Sequence, residues 1–273
     1  MRPLAEMAVA VLQTADPWEK TQKSRAYAAE WQAARQAGQT PSIGRCAPPL
    51  RPARPDAPAL LDPRDVPRRK PGTPEGRCAI LHAVAHIELN AVDLHWDIIA
   101  RFTETPMPIG FYDDWVKAAD EESKHFNLMS ECLEVQGSHY GALPAHAGMW
   151  RAAEDTATDF MGRLAVVPMV LEARGLDVTP GMIKIFQNAK NTQAVDALNV
   201  IYAEEVHHVA YGSKWFHFLC GRHNLDPTGV FHQLVRTYFH SELRPPFNEE
   251  KRAEAGIPPD FYWPLAQETG AIR

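Results

Sequence analysis

The sequence has few of the features that mark disulfide-rich, nucleic-acid-binding or membrane proteins. Its 273 residues include four cysteines without a C-x-x-C pair, which disfavours a disulfide framework or structural zinc and favours a reducing, cytoplasmic setting. The net charge of −6 argues against a general nucleic-acid binder, which needs a basic excess. No uninterrupted apolar run reaches transmembrane length, and the N-terminus has no convincing signal-peptide cleavage site. We therefore expect neither a membrane nor a nucleic-acid partner.

Strand patterning is also missing, because apolar and polar residues do not alternate credibly anywhere in the chain. Helical periodicity predicts an all-α protein, with Gly and Pro at the breaks, including Gly175, Pro180 and Gly181. Four long helices predict a four-helix bundle over residues 75–222. The predicted helices are 75–103, 110–136, 148–174 and 191–222.

Extensions flank this predicted bundle. An N-terminal helical extension (1–40) has Asp16 as a helix cap and Pro17 at a first helical position. A C-terminal helical extension covers 223–273. The helices predicted in these extensions are 2–13, 17–37, 226–240, 247–255 and 258–267.

Residues 41–74 form a proline-rich arm. Its ten prolines exclude helix and central strand, since proline lacks an N–H and has a fixed φ. The arm also carries six basic residues between Arg51 and Lys70. Two interpretations are open: a basic docking arm, or an extended strap over the domain surface. The strap is favoured, with Leu50, Leu60, Leu61 and Val66 as its anchors.

Two predicted helices each place a Glu and a His in the middle of an apolar stripe. Glu122 and His125 lie in one, and Glu205 and His208 in the other, three residues apart in each case. Side chains at that spacing share a helix face, so each pair points into the bundle. Positions at steps of three and four read Trp115, Ala118, Glu122, His125, Met129, Cys132 in the first helix and Ala194, Leu198, Ile201, Glu205, His208, Gly212, Trp215, Leu219 in the second.

The other two long helices each add one inward carboxylate, Glu88 and Glu172. Glu88 and Glu172 are 84 residues apart, and Glu122 and Glu205 are 83 apart, so the chain repeats a helix pair in nearly the same register. Buried carboxylates are costly unless paired or bound to a metal. Four carboxylates and two imidazoles from four helices predict a dinuclear metal site, with two iron ions favoured and manganese or a mixed pair second. The predicted ligands are Glu88, Glu122, His125, Glu172, Glu205 and His208.

Several segments around these residues resemble an uncharacterised bacterial ferritin-like family, domain of unknown function 455. They include "LHAVAHIELNAVDLHWDIIARF", "FYDDWVKAADEESKHFNLM", "RLAVVPMVLEARGLDVTP" and "EEVHHVAYGSKWF". The resemblance covers nearly the whole chain and implies a ferritin-like fold with the same six residues as ligands, but no known reaction. Glu204, His207 and His95 depart from the family pattern, but the six ligand residues are unchanged.

Other residues near the predicted site have more modest interpretations. His95 follows Glu88 by about 10 Å along the helix, which is far for a ligand, so a core histidine or one that supports a ligand is favoured. We expect His82 and His86 to bond the N-terminal extension, and His207 to lie at the rim. Pro168 should kink its helix, either opening a path to the metals or accommodating a bulky neighbour.

A dinuclear iron–carboxylate site supports many reactions, and fold does not choose among them. The first hypothesis is an oxidoreductase, oxygenase-like, that uses dioxygen or peroxide on an unknown small organic substrate. The second is a ferroxidase or other iron-handling protein, and the third is a non-catalytic, metal-stabilised interaction module. The extensions would obstruct a cage, so a monomer or dimer is expected.

Overall fold

The computed structural model describes residues 2–270 and is all-helical, which confirms the predicted class. Among these residues, β-structure is confined to a parallel pairing of β1 (Leu60–Leu61) with β2 (Ala145–His146). No helix in this range is both long and apolar enough to cross a membrane. The helices are α1 (Leu4–Leu12), α2 (Pro17–Gln36), α3 (Pro74–Arg101), α4 (Ile109–Val135), α5 (Gly148–Asp155), α6 (Phe160–Val166), α7 (Ala173–Asn188), α8 (Thr192–His223), α9 (Pro227–Tyr238), α10 (Glu249–Glu254) and α11 (Pro259–Gly270), with a π-helical turn at Val167–Glu172 between α6 and α7.

Local sequence signals account for several helix starts. The Asp16 carboxylate accepts a hydrogen bond from the Glu19 N–H (2.8 Å), and Pro17 occupies the first turn of α2. Thr73 caps α3 in the same way and precedes Pro74. A capping oxygen satisfies an N–H that has no helical partner, and proline has none to satisfy. Helices α1 to α4 and α8 to α11 begin and end within three residues of their predicted positions.

The chain divides into two compact units. The first comprises Met1–Trp150 and Ile185–Ala197, and the second comprises Arg151–Lys184 and Leu198–Arg273. Helices α5, α7 and α8 have residues in both units. The division into an extension, an arm, a bundle and a tail that the sequence suggests stays a prediction.

In the first unit, α3 is buried along most of its length because α1, α2 and α4 pack against it. A buried ion pair joins α2 to α3, with Lys20 Nζ 2.5 Å from Asp93 Oδ1. Lys20 Nζ also donates to the Ala53 carbonyl (3.0 Å), so the ammonium is bonded on two sides. A buried charge needs this degree of pairing to be tolerated. The helix that carries Glu88 is thereby held at its centre.

The proline-rich arm lies along the first unit as a strap, the interpretation favoured above, but three of its four predicted anchors are wrong, and only Val66 is half-buried. Leu50 is 84% exposed, and Leu60 and Leu61 are exposed as well. The arm is held by backbone groups: the Ala53 N–H donates to the Leu12 carbonyl (2.7 Å), and Arg101 Nη2 donates to the Pro49 carbonyl (2.8 Å). Because a proline-rich segment forms neither a helix nor a sheet, its backbone carbonyls have no regular hydrogen-bond partners. Side-chain donors such as Arg101 bind such carbonyls instead.

The prediction of one continuous helix over residues 148–174 is wrong. Residues 156–158 form a turn, and Asp159 caps a new helix by accepting from the Gly162 N–H (2.8 Å). The chain then stays helical through the expected break at Gly175, Pro180 and Gly181 as far as Asn188. Pro180 removes the hydrogen bond to the carbonyl four residues earlier, but Asn248 Nδ2 donates to that Leu176 carbonyl (3.1 Å). A residue 72 positions away therefore satisfies the carbonyl, and the helix continues.

In the second unit, a buried ion pair joins α10 to α7. Arg252 of α10 donates to both carboxylate oxygens of Asp177 on α7, at 2.9 and 2.7 Å. The guanidinium also lies 4.7 Å from the Tyr262 ring centroid. Bidentate pairing with aromatic stacking is a geometry that arginine, unlike lysine, provides. This contact holds α10 and α11 against the helix that follows Glu172.

Candidate metal centre

In the first unit, three of the predicted ligands lie together in the core. Glu88 on α3 and Glu122 and His125 on α4 are all buried. His125 Nδ1 is 3.4 Å from Glu88 Oε2 and 3.4 Å from Glu122 Oε2. A ligand atom from each of the three lies within 4.8 Å of the others. This is close enough for one ion to be reached by all three, so the cluster could hold a metal ion.

The electrostatics of this cluster are unfavourable for carboxylates without a cation. Burial, followed by the neighbouring charge of Glu122, raises the pKa of Glu88 well above its ordinary value, and His125 only partly opposes this. Glu88 Oε2 also makes no hydrogen bond of good geometry within residues 2–270. A buried, poorly bonded carboxylate oxygen is stabilised strongly by a bound cation. The donor set is oxygen-rich with one imidazole, a combination that could bind a metal ion.

His95 lies beside this cluster, which agrees with its interpretation as a core histidine or one that supports a ligand. Its Nε2 lies 3.4 Å from Glu122 Oε1, and its ring packs 5.2 Å from the Trp115 ring. His95 is separated from Glu88 by the rise of α3, but its side chain reaches Glu122 of the neighbouring helix α4. Only the pairing of α3 with α4 places the two side chains together. His95 can therefore orient Glu122 by a hydrogen bond.

In the second unit, Glu205 and His208 of α8 face the same way, with His208 Nδ1 3.7 Å from Glu205 Oε1. Both are buried, and so is Glu172 at the end of the π-helical turn. Gly175, one turn after Glu172, approaches Glu205: a Cβ there would lie 4.0 Å from Glu205 Oε2. The first turn of α7, which follows Glu172, therefore packs against α8 beside the Glu205 carboxylate.

The predicted kink at Pro168 is a π-helical turn, Val167–Glu172. A Cβ on Gly212 of α8 would lie 2.4 Å from Pro168 Cβ, so the two helices meet here only because Gly212 has no side chain. Proline and a π-turn both displace backbone hydrogen bonds, and π-turns are frequent at functional sites. The neighbour that accommodates the distortion is thus a small residue rather than a bulky one.

The predicted stripes are buried as expected. Ala118, Met129 and Cys132 are buried beside Glu122, and Leu198, Ile201 and Trp215 are buried on the stripe of Glu205. His207, off the stripe, is exposed, in agreement with a position at the rim. The partners predicted for His82 and His86 are wrong: His82 Nε2 accepts from the Gly141 N–H (3.0 Å), and His86 bonds the Tyr140 hydroxyl and the His146 carbonyl.

A comparison with known families matches residues 13–263 to the family described as protein of unknown function (DUF455). The chain belongs to this family. The predicted resemblance is therefore confirmed at the level of the family. A ferritin-like fold for DUF455 proteins stays a prediction.

A relative of this DUF455 chain is an uncharacterized protein of Haemophilus influenzae. The two are 41% identical over 208 residues, which cover 74% of this chain and 72% of the relative. No solved structure matches the chain.

Proposed function

We propose that this protein is a dinuclear metal–carboxylate oxidoreductase with a ferritin-like four-helix bundle. Its ligands are the six residues predicted from the sequence, and its preferred metal is iron, with manganese second. The substrate class is a small organic molecule, and the chain acts as a monomer or dimer. Four free cysteines support a reducing cytoplasmic setting for it.

The main support for this proposal is that four carboxylates and two imidazoles are buried, and that they occur at matching positions in two repeated helix pairs. Glu88, Glu122 and His125 recur as Glu172, Glu205 and His208 at offsets of 84, 83 and 83 residues, and all six are buried. Four ionised carboxylates in a core would cost far more than two imidazoles can offset. Two cations balance them, and helical bundles with this ligand set are a known solution.

Each part of this site has a role that does not depend on the substrate. The four carboxylates and two imidazoles would hold the ions, and His95 would orient Glu122. Val84, Ala91 and Met129, buried beside the ligands, would exclude water. A bound pair of iron ions supplies the redox chemistry by which dioxygen or peroxide is reduced.

Metal analysis of matched variants tests the ligand assignment. The protein purified in air should contain about two metal ions per chain. Glu122→Gln, Glu205→Gln and His208→Gln should each lose at least half of that metal, because a ligand is removed. Their neighbours Glu121→Gln, Glu204→Gln and His207→Gln should keep it, since these residues lie off the buried stripes.

Within each pair, the two substituted residues are neighbours in the sequence and undergo the same substitution. General effects on folding or purification should therefore be similar in both variants. Equal metal content within all three pairs would contradict the assignment. Circular dichroism of each variant shows whether the helices persist, and a ligand variant that keeps its helices while losing metal separates coordination from folding.

The iron-handling alternative is distinguished by what the reduced protein does with dioxygen. An oxidoreductase should return to its starting metal content after one turnover, whereas an iron-storage protein should accumulate iron well above two per chain. Light scattering adds a second criterion, since a mass of many chains would indicate a cage. Accumulation of iron in a large assembly would overturn the proposed oxidoreductase.

A further inference from the structure

The first unit contains a pocket that the metal site does not use. Its volume is about 240 Å³, and its walls come from the proline-rich arm, from α3, from the loop before α5 and from the first turn of α5. On α3 it is lined by His82, His86 and Asn90, four residues apart and so on one face. Glu88 is about 200° around the helix from His86 at 100° per residue, so the pocket and the first-unit metal cluster occupy different sides of α3.

The walls are mostly apolar. Val66 of the arm, Ile80 and Ile87 of α3, Leu143 of the loop before α5 and Met149 of α5 supply hydrocarbon surface. Ile87 is a large apolar residue left exposed on α3. Pockets of this kind bind organic molecules, with a few polar groups setting orientation. An apolar cavity of about 150 Å³ holds a benzene molecule, so this one has room for roughly ten non-hydrogen atoms.

The imidazole groups of the pocket that are left to bind a ligand are hydrogen-bond donors. His82 Nε2 accepts from the Gly141 N–H, so a neutral His82 ring carries its proton on Nδ1. His146 Nδ1 accepts from the Gly148 N–H (3.2 Å), which leaves the proton on Nε2. His86 is fully engaged by Tyr140 and by the His146 carbonyl. Two imidazole N–H groups therefore remain to bind a ligand.

One positive charge stands at the pocket without a partner. Arg69, on the arm, lines the pocket and is exposed, and it makes no hydrogen bond or ion pair within residues 2–270. None of the described residues that line the pocket is Asp or Glu. A guanidinium without a partner, in a pocket that also has neutral N–H donors, favours a ligand with an anionic acceptor group. The planar guanidinium of arginine matches the geometry of a carboxylate.

We propose that this pocket is a binding site for a small amphipathic carboxylate. The carboxylate binds Arg69 and the N–H of His82, and the hydrocarbon part lies against the apolar walls. The arm contributes both a wall and the charged group, so the strap over the first unit is also the cover of a ligand site. The proposal does not depend on metal binding.

Calorimetric titration with octanoate tests the site on the full-length protein. Octanoate should bind once per chain, and octan-1-ol and octylamine, which have the same tail without a negative charge, should bind at least tenfold more weakly. Arg69→Gln should weaken octanoate binding about tenfold, whereas Arg68→Gln, its neighbour outside the pocket, should leave binding unchanged. Equal binding of octanoate and octan-1-ol, or equal losses in the two arginine variants, would overturn the proposal.

A second variant blocks the pocket without changing its charge. Ala83 is exposed on α3 and lines the pocket, so Ala83→Phe places a ring in the cavity and not in the core. Octanoate binding should be lost while the circular dichroism spectrum is unchanged. Retention of full affinity by a folded Ala83→Phe protein would show that octanoate binds elsewhere and would refute the assignment.

Discussion

At the scale of single residues, the histidines of the first unit show how burial sets chemistry. Burial, together with the smaller effects of the nearby charges of His139 and Arg69, lowers the pKa of His82 to about 4. The side chain is 1% exposed, and its ring accepts an N–H that a protonated ring could not accept. His82 is therefore neutral in the folded protein at pH values where it is charged in the unfolded chain.

This difference predicts an acid-sensitive contribution to stability. With a folded pKa near 4 and an unfolded value of about 6.5, the unfolded chain binds more protons between these values, so the free energy of unfolding falls as pH decreases. The contribution of His82 is present above about pH 6.5 and is lost towards pH 4. Urea denaturation at pH 7.5 and pH 5 should show a loss of roughly 1–2 kcal/mol attributable to His82.

The variant His82→Gln isolates this residue. Glutamine offers an oxygen to the Gly141 N–H and does not titrate. The variant should be less stable than the natural protein at pH 7.5 but should lose less stability on going to pH 5. If both proteins lose the same free energy over that interval, His82 is not the titrating group.

Residue-level prediction from sequence works for burial and fails for partners. The stripe pattern places Glu122 and Glu205 in the core because residues three and four apart share a face, and both are buried. The same pattern carries no information on which helix lies opposite. For that reason the contacts of His95 with Glu122 and of His82 with Gly141 could not be read from it.

At the scale of elements, the π-helical turn and α8 depend on each other. The turn brings Pro168 against Gly212, where a Cβ would meet the proline ring at 2.4 Å. Both positions lie on the elements that carry Glu172 and Glu205. The distortion and the glycine therefore control how closely these two carboxylate-bearing elements approach.

Adding one methyl group at this contact should be costly. Gly212→Ala replaces a helix-breaking residue, which alone would stabilise α8 by up to about 1 kcal/mol. The clash with Pro168 should outweigh this gain, because forced repacking of a core contact costs about 1–3 kcal/mol. A lower melting temperature than that of the natural protein, together with reduced metal content, is the expected result.

The control lies in the same helix. Gly221 also belongs to α8, but a Cβ there meets nothing within 4 Å. Gly221→Ala should therefore keep or raise the melting temperature. A Gly212→Ala protein as stable as Gly221→Ala would mean that the approach of Pro168 is not rigid, and the argument for a fixed spacing would fail.

Helix boundaries were predictable where the signal is local and not where it is distant. Asp16 and Thr73 cap their helices with their own side chains, and these starts were found within a residue or two. The continuation of α7 through Pro180 relies on Asn248, which is far away in sequence. Glycine and proline indicate a break only when nothing else satisfies the freed carbonyl.

At the scale of the whole chain, one half of the predicted ligand set lies in each unit. Glu88, Glu122 and His125 belong to the first unit, and Glu172, Glu205 and His208 to the second. Each unit thus holds one copy of the repeated Glu, Glu and His set, although the sequence predicts a single bundle and not this division. Two mononuclear sites and one dinuclear site would use the same six residues, so metal content alone does not separate them.

Electron paramagnetic resonance of the manganese-loaded protein separates these cases. Two ions that share carboxylates lie about 3.5–4 Å apart and are magnetically coupled. Mn²⁺ added to two equivalents should therefore give a broad coupled spectrum and little of the six-line signal of isolated Mn²⁺. In Glu122→Gln, which removes a carboxylate, the ion that remains should show the isolated six-line signal. A six-line spectrum that accounts for both ions in the natural protein would contradict the dinuclear site while leaving metal binding intact.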